Sequence, residues 1–248
     1  MRLSRVFFSL LVGLLMAGRS ARAEAEGAVV AVGLVSRVVE RGVVLAGAAV
    51  SGQAEVEAGA WRAALRAHQP VRGGEPAEAR LSLAWRGGGE TGWFVEVAAS
   101  PSTRGSGRMA GAVKQSIEAG ATVGWRSSLG WRVQATALHD FRRKASGGGM
   151  QVAREVALTR LGAFLECYGE AGWMTADDLL PGLAGAGRRD GYGYGAAGLR
   201  LPYRVGERVT LEASVEGGLT RGQSSIWSPV GRPGGWTLAA GLGVRLDF

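Results

Sequence analysis

The chain has 248 residues, of which 42 are glycine, one is cysteine and two are histidine, and its formal net charge is +8. A single cysteine excludes an intrachain disulfide, and so few cysteines and histidines argue against a metal centre built from soft ligands. Four of the 29 basic residues lie in the first 23 positions, which leaves 25 basic and 21 acidic residues in the remainder. This near balance gives little support for a nucleic-acid partner, and no cofactor is expected.

The N-terminal segment has the order of a secretory signal peptide. Arg2 and Arg5 precede an apolar stretch over 6–18, and the small residues of a cleavage site follow at 21–23. The alternative is a membrane-spanning helix, but the apolar stretch would make only about 20 Å of helix against a bilayer core of about 30 Å. We expect residues 1–23 to be removed on export.

The remainder, residues 24–248, is expected to form one β-barrel domain. Apolar side chains recur at every second position in repeated segments, and about 9 to 11 residues of tilted strand are enough to cross a bilayer. The second and third predicted strands could also be one long strand. The twelve predicted strands cover 28–37, 48–56, 57–66, 78–86, 91–99, 113–126, 129–141, 150–160, 163–174, 191–204, 208–221 and 236–248. This pattern predicts an all-β fold, a transmembrane up-and-down antiparallel β-barrel.

The connections between the predicted strands alternate in length. Outer-membrane barrels have short periplasmic turns and longer external loops, so all the long connections are expected outside the cell. A soluble β-sandwich is the alternative, and it requires no such alternation. The long connections cover 38–47, 67–77, 100–112, 142–149, 175–190 and 222–235.

Side chains of the opposite parity would line the interior, and many of them are charged. Such groups need water or one another, so they predict either a wet channel or a closed lumen braced by ion pairs. In pores, rings of charge select solutes by sign and size. The candidate selectivity residues are Arg80, Glu96, Glu118, Arg132, Glu166, Arg200, Glu212 and Arg245.

One arginine falls on the predicted lipid side. Arg154 shares parity with Val152 and Val156, and an arginine facing lipid near the midplane costs about 2 to 4 kcal/mol. Either a bulge shifts the register there, or the predicted strand 150–160 has the wrong bounds.

Basic residues are frequent in the predicted external loops. They could steer anionic solutes or bind phosphates of lipopolysaccharide, and the alternative is an ordinary solvated surface. The residues concerned are Arg104, Arg108, Arg142, Arg143, Lys144, Arg188 and Arg189.

A catalytic site finds little support in the sequence. His139 and Asp140 are adjacent, but neighbouring residues of a strand point to opposite faces and cannot form a dyad without a bulge. Catalysis would also need a serine within about 3 Å of His139. Nothing in the sequence places one there.

The last predicted strand, 236–248, is apolar at every second residue and ends in Phe248. It resembles the terminal strand of bacterial outer-membrane β-barrels, in which the closing aromatic residue is the sorting signal for the barrel assembly machinery. The resemblance therefore implies that Phe248 is a sorting signal. It also implies the assembly machinery and outer-membrane lipid as partners.

Several short motifs are spread over most of residues 28–248. They are Ser36-Arg37 with Arg41-Gly42, Gly59-Ala60-Trp61, Tyr192 to Gly195, Leu201-Pro202-Tyr203 and the strand Glu207 to Ser214. In these motifs the chain resembles the putative-porin family labelled TorF, although Val38 stands where an aromatic residue usually follows the Ser-Arg pair. The resemblance implies a pore-like outer-membrane barrel and gives no catalytic residues.

The predicted function is a small porin-like channel for solutes in the cell outer membrane, without enzymatic activity. Two alternatives remain open from the residues: a structural or adhesion barrel that acts through its loops without an open pore, and an outer-membrane barrel enzyme. The sequence does not indicate an oligomeric state or a particular solute.

Overall fold

The computed structural model describes residues 27–41, 43–72, 75, 77–104, 115–142, 144–176, 190–223 and 235–248. The predicted signal peptide lies outside these residues and stays a prediction. The strands within them are β1 (Gly27–Val35), β2 (Val38–Glu40), β3 (Val43–Ala46), β4 (Ala49–Ala58), β5 (Trp61–Pro70), β6 (Glu78–Gly88), β7 (Gly92–Arg104), β8 (Gln115–Arg126), β9 (Trp131–Asp140), β10 (Ala145–Leu158), β11 (Ala163–Ala176), β12 (Asp190–Arg204), β13 (Val209–Gln223) and β14 (Gly235–Asp247).

Strands β1 and β4 to β14 close into one barrel. From β4 to β14 each strand pairs antiparallel with the next along the chain, and β1 closes the ring between β14 and β4. At the closure Val29 lies opposite Asp247, and Val35 lies opposite Gly241. A closed ring leaves no strand edge unpaired, which is what a sheet needs inside a bilayer. The prediction of a twelve-stranded, up-and-down, all-β barrel is confirmed.

The outer face of the barrel is apolar. In β14 the exposed fraction is 82% for Trp236, 64% for Leu238 and 70% for Leu242. Leu34 of β1 lies opposite Leu242 and is 62% exposed, so the apolar surface continues across the closure. Large apolar side chains exposed over neighbouring strands match a hydrocarbon surrounding.

The short and long connections separate to opposite ends. The short ones cover 59–60, 89–91, 127–130, 159–162 and 205–208, and they share one end, the turn end, with the start of β1 and the end of β14. The opposite end, the loop end, carries the connections 36–48, 71–77, 105–114, 141–144, 177–189 and 224–234. Five of the six connections at the loop end are long, as predicted, but the connection predicted to cover 142–149 is wrong in length: it has only four residues, 141–144, because β10 begins at Ala145.

The turn between the second and third barrel strands was predicted wrongly. The sequence pattern joined them at residues 56 and 57, but β4 and β5 form a hairpin that turns at Gly59 and Ala60. Gly59 has a φ of 56°, in the left-handed region that favours glycine. The alternative of one long strand is also wrong.

The start of β10 was predicted too late. The strand begins at Ala145 rather than Met150 and pairs with both neighbours without a register shift. Arg154 does face outward, yet it lies opposite Trp131, the first residue of β9, and is therefore near the turn end rather than the midplane. Its guanidinium carbon lies 4.9 Å from the centroid of the Trp131 ring. The strand bounds, not a bulge, explain this residue.

The first long connection was expected outside the barrel, and this expectation is wrong. Its strands β2 and β3 pair with each other and fold into the interior, as a segment that we call the lumen hairpin (38–46). Apolar side chains of the hairpin are buried against inward-facing side chains of β10, β11 and β12. The buried cluster consists of Val38, Leu45, Ala46, Ala49, Ala145, Met174 and Tyr192.

Candidate functional site

The interior of the barrel, narrowed by the lumen hairpin, is the candidate site. The eight residues proposed from the sequence all lie on its inward parity. Six of them enter ion-paired groups with other elements of the lumen, whereas Glu212 and Arg245 lie apart from these groups. Their role in selecting solutes stays a prediction.

An ion-paired group holds the tip of the lumen hairpin, and we call it the tip cluster (Glu40, Arg41, Glu78, Arg80 and Glu118). Arg41 donates from Nη1 and Nη2 to the two carboxylate oxygens of Glu118, at 3.1 and 2.8 Å. Arg80 lies 2.6 Å from Glu40 and 3.6 Å from Glu118. The Glu118 side chain is only 7% exposed, so loss of either arginine would leave a poorly solvated charge.

Arg41 occupies an unusual backbone position at the hairpin turn. Its φ is 48°, in the left-handed region that residues other than glycine seldom adopt. Burial by itself lowers the pKa of Arg41, but the hydrogen bond with Glu118 and the charge of Glu40 outweigh burial and raise this pKa. The hairpin therefore carries a fixed positive charge into the lumen.

A second ion-paired group lies between the tip cluster and the turn end. Glu96 of β7 lies 3.0 Å from Arg62 of β5 and 2.6 Å from Arg86 of β6. Arg62 also lies 3.7 Å from Glu55 of β4. One carboxylate thus joins three adjacent strands, and the group crosslinks the wall from β4 to β7.

Phe94 closes part of the lumen beside this group. Its exposed fraction is 3%, and the guanidinium carbons of Arg86 and Arg126 lie 5.6 and 4.9 Å from its ring centroid. A Cβ added to Gly124 would lie 2.3 Å from the Phe94 ring, so glycine is what allows the ring to lie against β8. Arginines over an aromatic ring are held by cation–π attraction.

A third group lies on β9, β11, β12 and β13. Glu166 lies 2.8 Å from Arg132 and 3.5 Å from Arg200. The Arg200 guanidinium carbon lies 4.8 Å from the Tyr168 ring centroid, and the Tyr168 hydroxyl donates to Glu216 at 2.5 Å. This group joins four strands, but the side chain of its member Arg200 is 53% exposed.

The lumen therefore has two unlike sides. On the braced side, β4 to β9, the side chains of Glu118 and Glu96 are 7% and 16% exposed and are covered by arginines. On the open side, β12 to β14, those of Arg200 and Arg245 are 53% and 43% exposed, and Glu212 is also exposed.

Two cavities adjoin beneath the hairpin. The first, near 250 Å³, is bordered by β4 to β9 and lined by Arg41, Arg62, Arg66, Ser82 and Thr122 among others. The second, near 170 Å³, is bordered by β9 to β12 and lined by Arg41, Gln134, Gln151, Glu170 and Tyr194 among others. Arg41, Thr136 and Leu138 line both cavities, so the hairpin tip stands between them.

The basic loop residues are only partly described. Arg142 and Lys144 are exposed in the connection between β9 and β10, and the backbone N–H of Arg142 donates to Asp140 at 3.0 Å. Arg104 is the last residue of β7. The other four, Arg108, Arg143, Arg188 and Arg189, lie outside the described residues. A role in steering or lipopolysaccharide binding stays a prediction.

His139 and Asp140 point to opposite faces of β9. Asp140 is fully buried on the inward side and accepts from the Ser116 hydroxyl at 2.7 Å. His139 is exposed on the outer side, where its Nδ1 lies 2.9 Å from Oγ of Ser146. The sequence did not reveal this serine, but among the described residues no carboxylate bonds to the imidazole. The pair lacks the orienting acid of a hydrolase triad.

The sequence interpretation did not place Glu40, Arg41, Arg62 and Phe94 in the lumen. Arg62 and Phe94 share the inward parity of Arg66 and Glu96, and that parity could have identified them. The only sequence signal that the hairpin turns inward was its apolar composition. Val38, Val39, Val43, Val44 and Leu45 are a poor composition for a solvated loop.

The described ranges contain no group of three or more His, Cys, Asp or Glu side chains that could hold a metal ion. Within the same part of the chain, no helix is long and apolar enough to cross a membrane.

The fold is similar to that of solved bacterial outer-membrane proteins. The NanC porin aligns at a TM-score of 0.55 with 8% identity, over 88% of this chain and 98% of that chain. Acinetobacter baumannii OccAB3 aligns at a TM-score of 0.44 with 10% identity, over 87% of this chain and 59% of that chain. The β domain of the Bordetella autotransporter BrkA aligns at a TM-score of 0.43 with 14% identity, over 91% of this chain and 100% of that chain. No family model and no curated protein matches the chain. The likeness to NanC shows a porin-like barrel fold, and the TorF resemblance stays a prediction.

Proposed function

We propose that the protein is an outer-membrane channel for small solutes, with its narrowest section at the lumen hairpin. The observation that carries the proposal is a barrel that is apolar outside, charged inside and, in the part of the chain that the structure describes, only partly filled. The two cavities beneath the hairpin and the exposed Arg200, Glu212 and Arg245 leave room for water along the interior. Charged linings of this kind select solutes by sign and size in pores.

Insertion would place the loop end outside the cell and the turn end in the periplasm. At the turn end the backbone N–H of Phe248 donates to the carbonyl of Ala28 at 2.9 Å, so Phe248 takes part in closing the ring. The proposal includes two kinds of partner. The barrel assembly machinery would recognise Phe248, and lipid and lipopolysaccharide would contact the outer face.

Single-channel conductance of refolded protein in a planar bilayer tests the proposal. The informative variant replaces residues 36–48 by a short Gly- and Asn-containing turn. Val35 and Ala49 are register partners, so a tight turn can join β1 to β4 directly. Removal of the hairpin should raise the conductance several-fold. Replacement of Arg142 and Lys144 by serine is the matched control outside the lumen and should leave conductance at high salt unchanged.

The buried hairpin also favours a second candidate, a closed barrel that acts through its loops. Val38, Leu45 and Ala46 are buried at 6%, 7% and 2% exposure, as in a packed core. A closed barrel would pass no current as wild type and would conduct only after the hairpin is removed. A folded wild-type barrel that passes no current would contradict the channel proposal, and current that appears only after removal of the hairpin would favour the closed barrel.

A further inference from the structure

Arg126 is an inward-facing arginine of the turn end without an ionic partner. It is the last residue of β8, and it shares the inward parity of Glu118 and Thr122, which line the first cavity. Its guanidinium contacts the ring of Phe94, yet no carboxylate of the described residues lies within ion-pair distance of it. An inward charge without a partner in the protein is open to a charge that enters the lumen.

A second arginine lies directly opposite the first. Arg126 and Arg132 are register partners in β8 and β9. The backbone N–H of Ser127 donates to the carbonyl of Trp131 at 2.9 Å, so the next pair, Arg126 and Arg132, is of the non-hydrogen-bonded kind, with Cα atoms about 4.5 Å apart. Like charges in such a pair destabilise a sheet. The Nε atoms of both arginines are buried and have no acceptor among the described residues, so an acceptor in the lumen would meet their Nη groups.

A third arginine approaches from the other side. The guanidiniums of Arg86 and Arg126 both lie over the Phe94 ring, at 5.6 and 4.9 Å from its centroid. Among the charged groups that act on Arg126, Arg86 and Arg132 come ahead of Glu96. Repulsion therefore outweighs attraction at this position.

The carboxylates of this region are already engaged. Glu96 holds both Arg62 and Arg86, at 3.0 and 2.6 Å. Glu166 likewise is shared by two arginines of the third group. The positive charge of Arg126 is thus left over at the turn end, and an anion from solution is the partner that would relieve it.

We propose that Arg86, Arg126 and Arg132 form a binding site for a doubly charged tetrahedral oxyanion of the phosphate type, and we call it the mouth site. Such an anion presents oxygens in several directions and can accept from Arg126 and Arg132 at once, whereas a carboxylate matches a single guanidinium fork. The inference rests on the proposed channel function. It adds the class of solute that the lumen holds at its periplasmic end.

Titration calorimetry of the whole refolded barrel in detergent micelles tests the mouth site with inorganic phosphate, at pH 8 and constant ionic strength. Arg126→Gln should weaken phosphate binding at least about tenfold, as expected for the loss of a charged hydrogen bond. Arg126→Lys keeps the charge without the fork and should retain part of the affinity. Arg208→Gln removes an exposed charge of the same end and should bind as wild type does. Heat-modifiable migration confirms that each variant is folded.

Urea unfolding separates binding from packing. Phosphate should raise the urea midpoint of wild type and leave that of Arg126→Gln unchanged, because a ligand stabilises only the folded state that binds it. Without phosphate, Arg126→Gln should be at least as stable as wild type, since the substitution removes repulsion. A lower midpoint of this variant together with undiminished phosphate binding would show a packing role and overturn the inference.

Single-channel currents test the channel function apart from the site. At constant ionic strength, phosphate should reduce the chloride current through wild type and not through Arg126→Gln. Absence of phosphate binding, or equal binding of phosphate and acetate, would overturn the mouth site and leave the channel in place. Phosphate binding to a barrel that passes no current would uphold the site and contradict the channel.

Discussion

The braced side and the open side of the lumen are built from the same alternating strands, yet they hold their charges differently. On the braced side, carboxylates such as Glu118 and Glu96 lie beneath arginines from neighbouring strands or from the hairpin. On the open side, the one ion pair that Arg245 makes with a described residue is with Asp247, two residues along its own strand, and the Arg245 side chain stays 43% exposed. Ion pairs between distant elements stabilise a shape, whereas exposed local pairs contribute little.

The hairpin accounts for one part of this difference, the tip cluster around Glu118. Its tip adds Glu40 and Arg41 to the braced side, and its apolar residues pack on β10 to β12 at the loop end. Among the described residues, no segment is inserted on the open side at the level of Arg200 and Arg245. The following experiments test whether the two sides differ in energy as they do in geometry.

The largest effect is expected for Glu118→Ala. This change removes the acceptor of Arg41 and a partner of Arg80, and breaking a buried pair costs about 3 to 5 kcal/mol. The hairpin tip should leave its site, so single-channel conductance should rise several-fold and the urea midpoint should fall. Glu212→Ala, on the open side, should change the free energy of unfolding by less than about 0.5 kcal/mol. Equal effects of the two variants would contradict the distinction between the sides.

A smaller loss of stability is expected for Gly147→Ala, where the hairpin packs. The added Cβ would lie 2.2 Å from Sδ of Met174 and 2.7 Å from the carbonyl oxygen of Trp173. Overpacking of this kind costs about 1 to 3 kcal/mol, to be measured by urea unfolding in detergent micelles or lipid. Gly217→Ala in β13 is the control, because its nearest neighbour would lie at 4.0 Å. Wild-type stability of Gly147→Ala would show that Met174 is loosely held.

Arg41→Gln should change selectivity more than Arg200→Gln. Removal of the Arg41 charge leaves Glu40 and Glu118 less compensated at the narrowest section, so the reversal potential should move toward cation preference. Arg200 is 53% exposed, and water and salt screen its charge. The shift for Arg200→Gln should therefore be smaller in the same salt gradient. A larger shift for Arg200→Gln would place the selective section on the open side.

The smallest effect is expected from the loop end. Arg142→Ser with Lys144→Ser removes two exposed charges outside the lumen. Entry of anions should slow at low salt, and the change should vanish at high salt because the Debye length falls to about 3 Å at 1 M. An effect that persists at high salt would indicate a direct contact with the solute.

Strand number and facing followed from the sequence because both depend on a local period of two. The parity of Trp236, Leu238 and Leu242 is enough to place them outside, and their exposure agrees. Strand ends were less predictable. The start of β10 at Ala145 is followed by the three glycines 147–149, where there is no side-chain alternation to read, and Gly147 packs against Met174.

The sequence by itself determined a twelve-stranded barrel with an apolar outer face, since a period of two separates the faces of every strand. It also determined which charges face inward. Only the tertiary structure decided that the connection between β1 and β4 turns inward and that Arg41 meets Glu118, 77 residues away. These relations join strands far apart in sequence across the interior, and no local period encodes such distances.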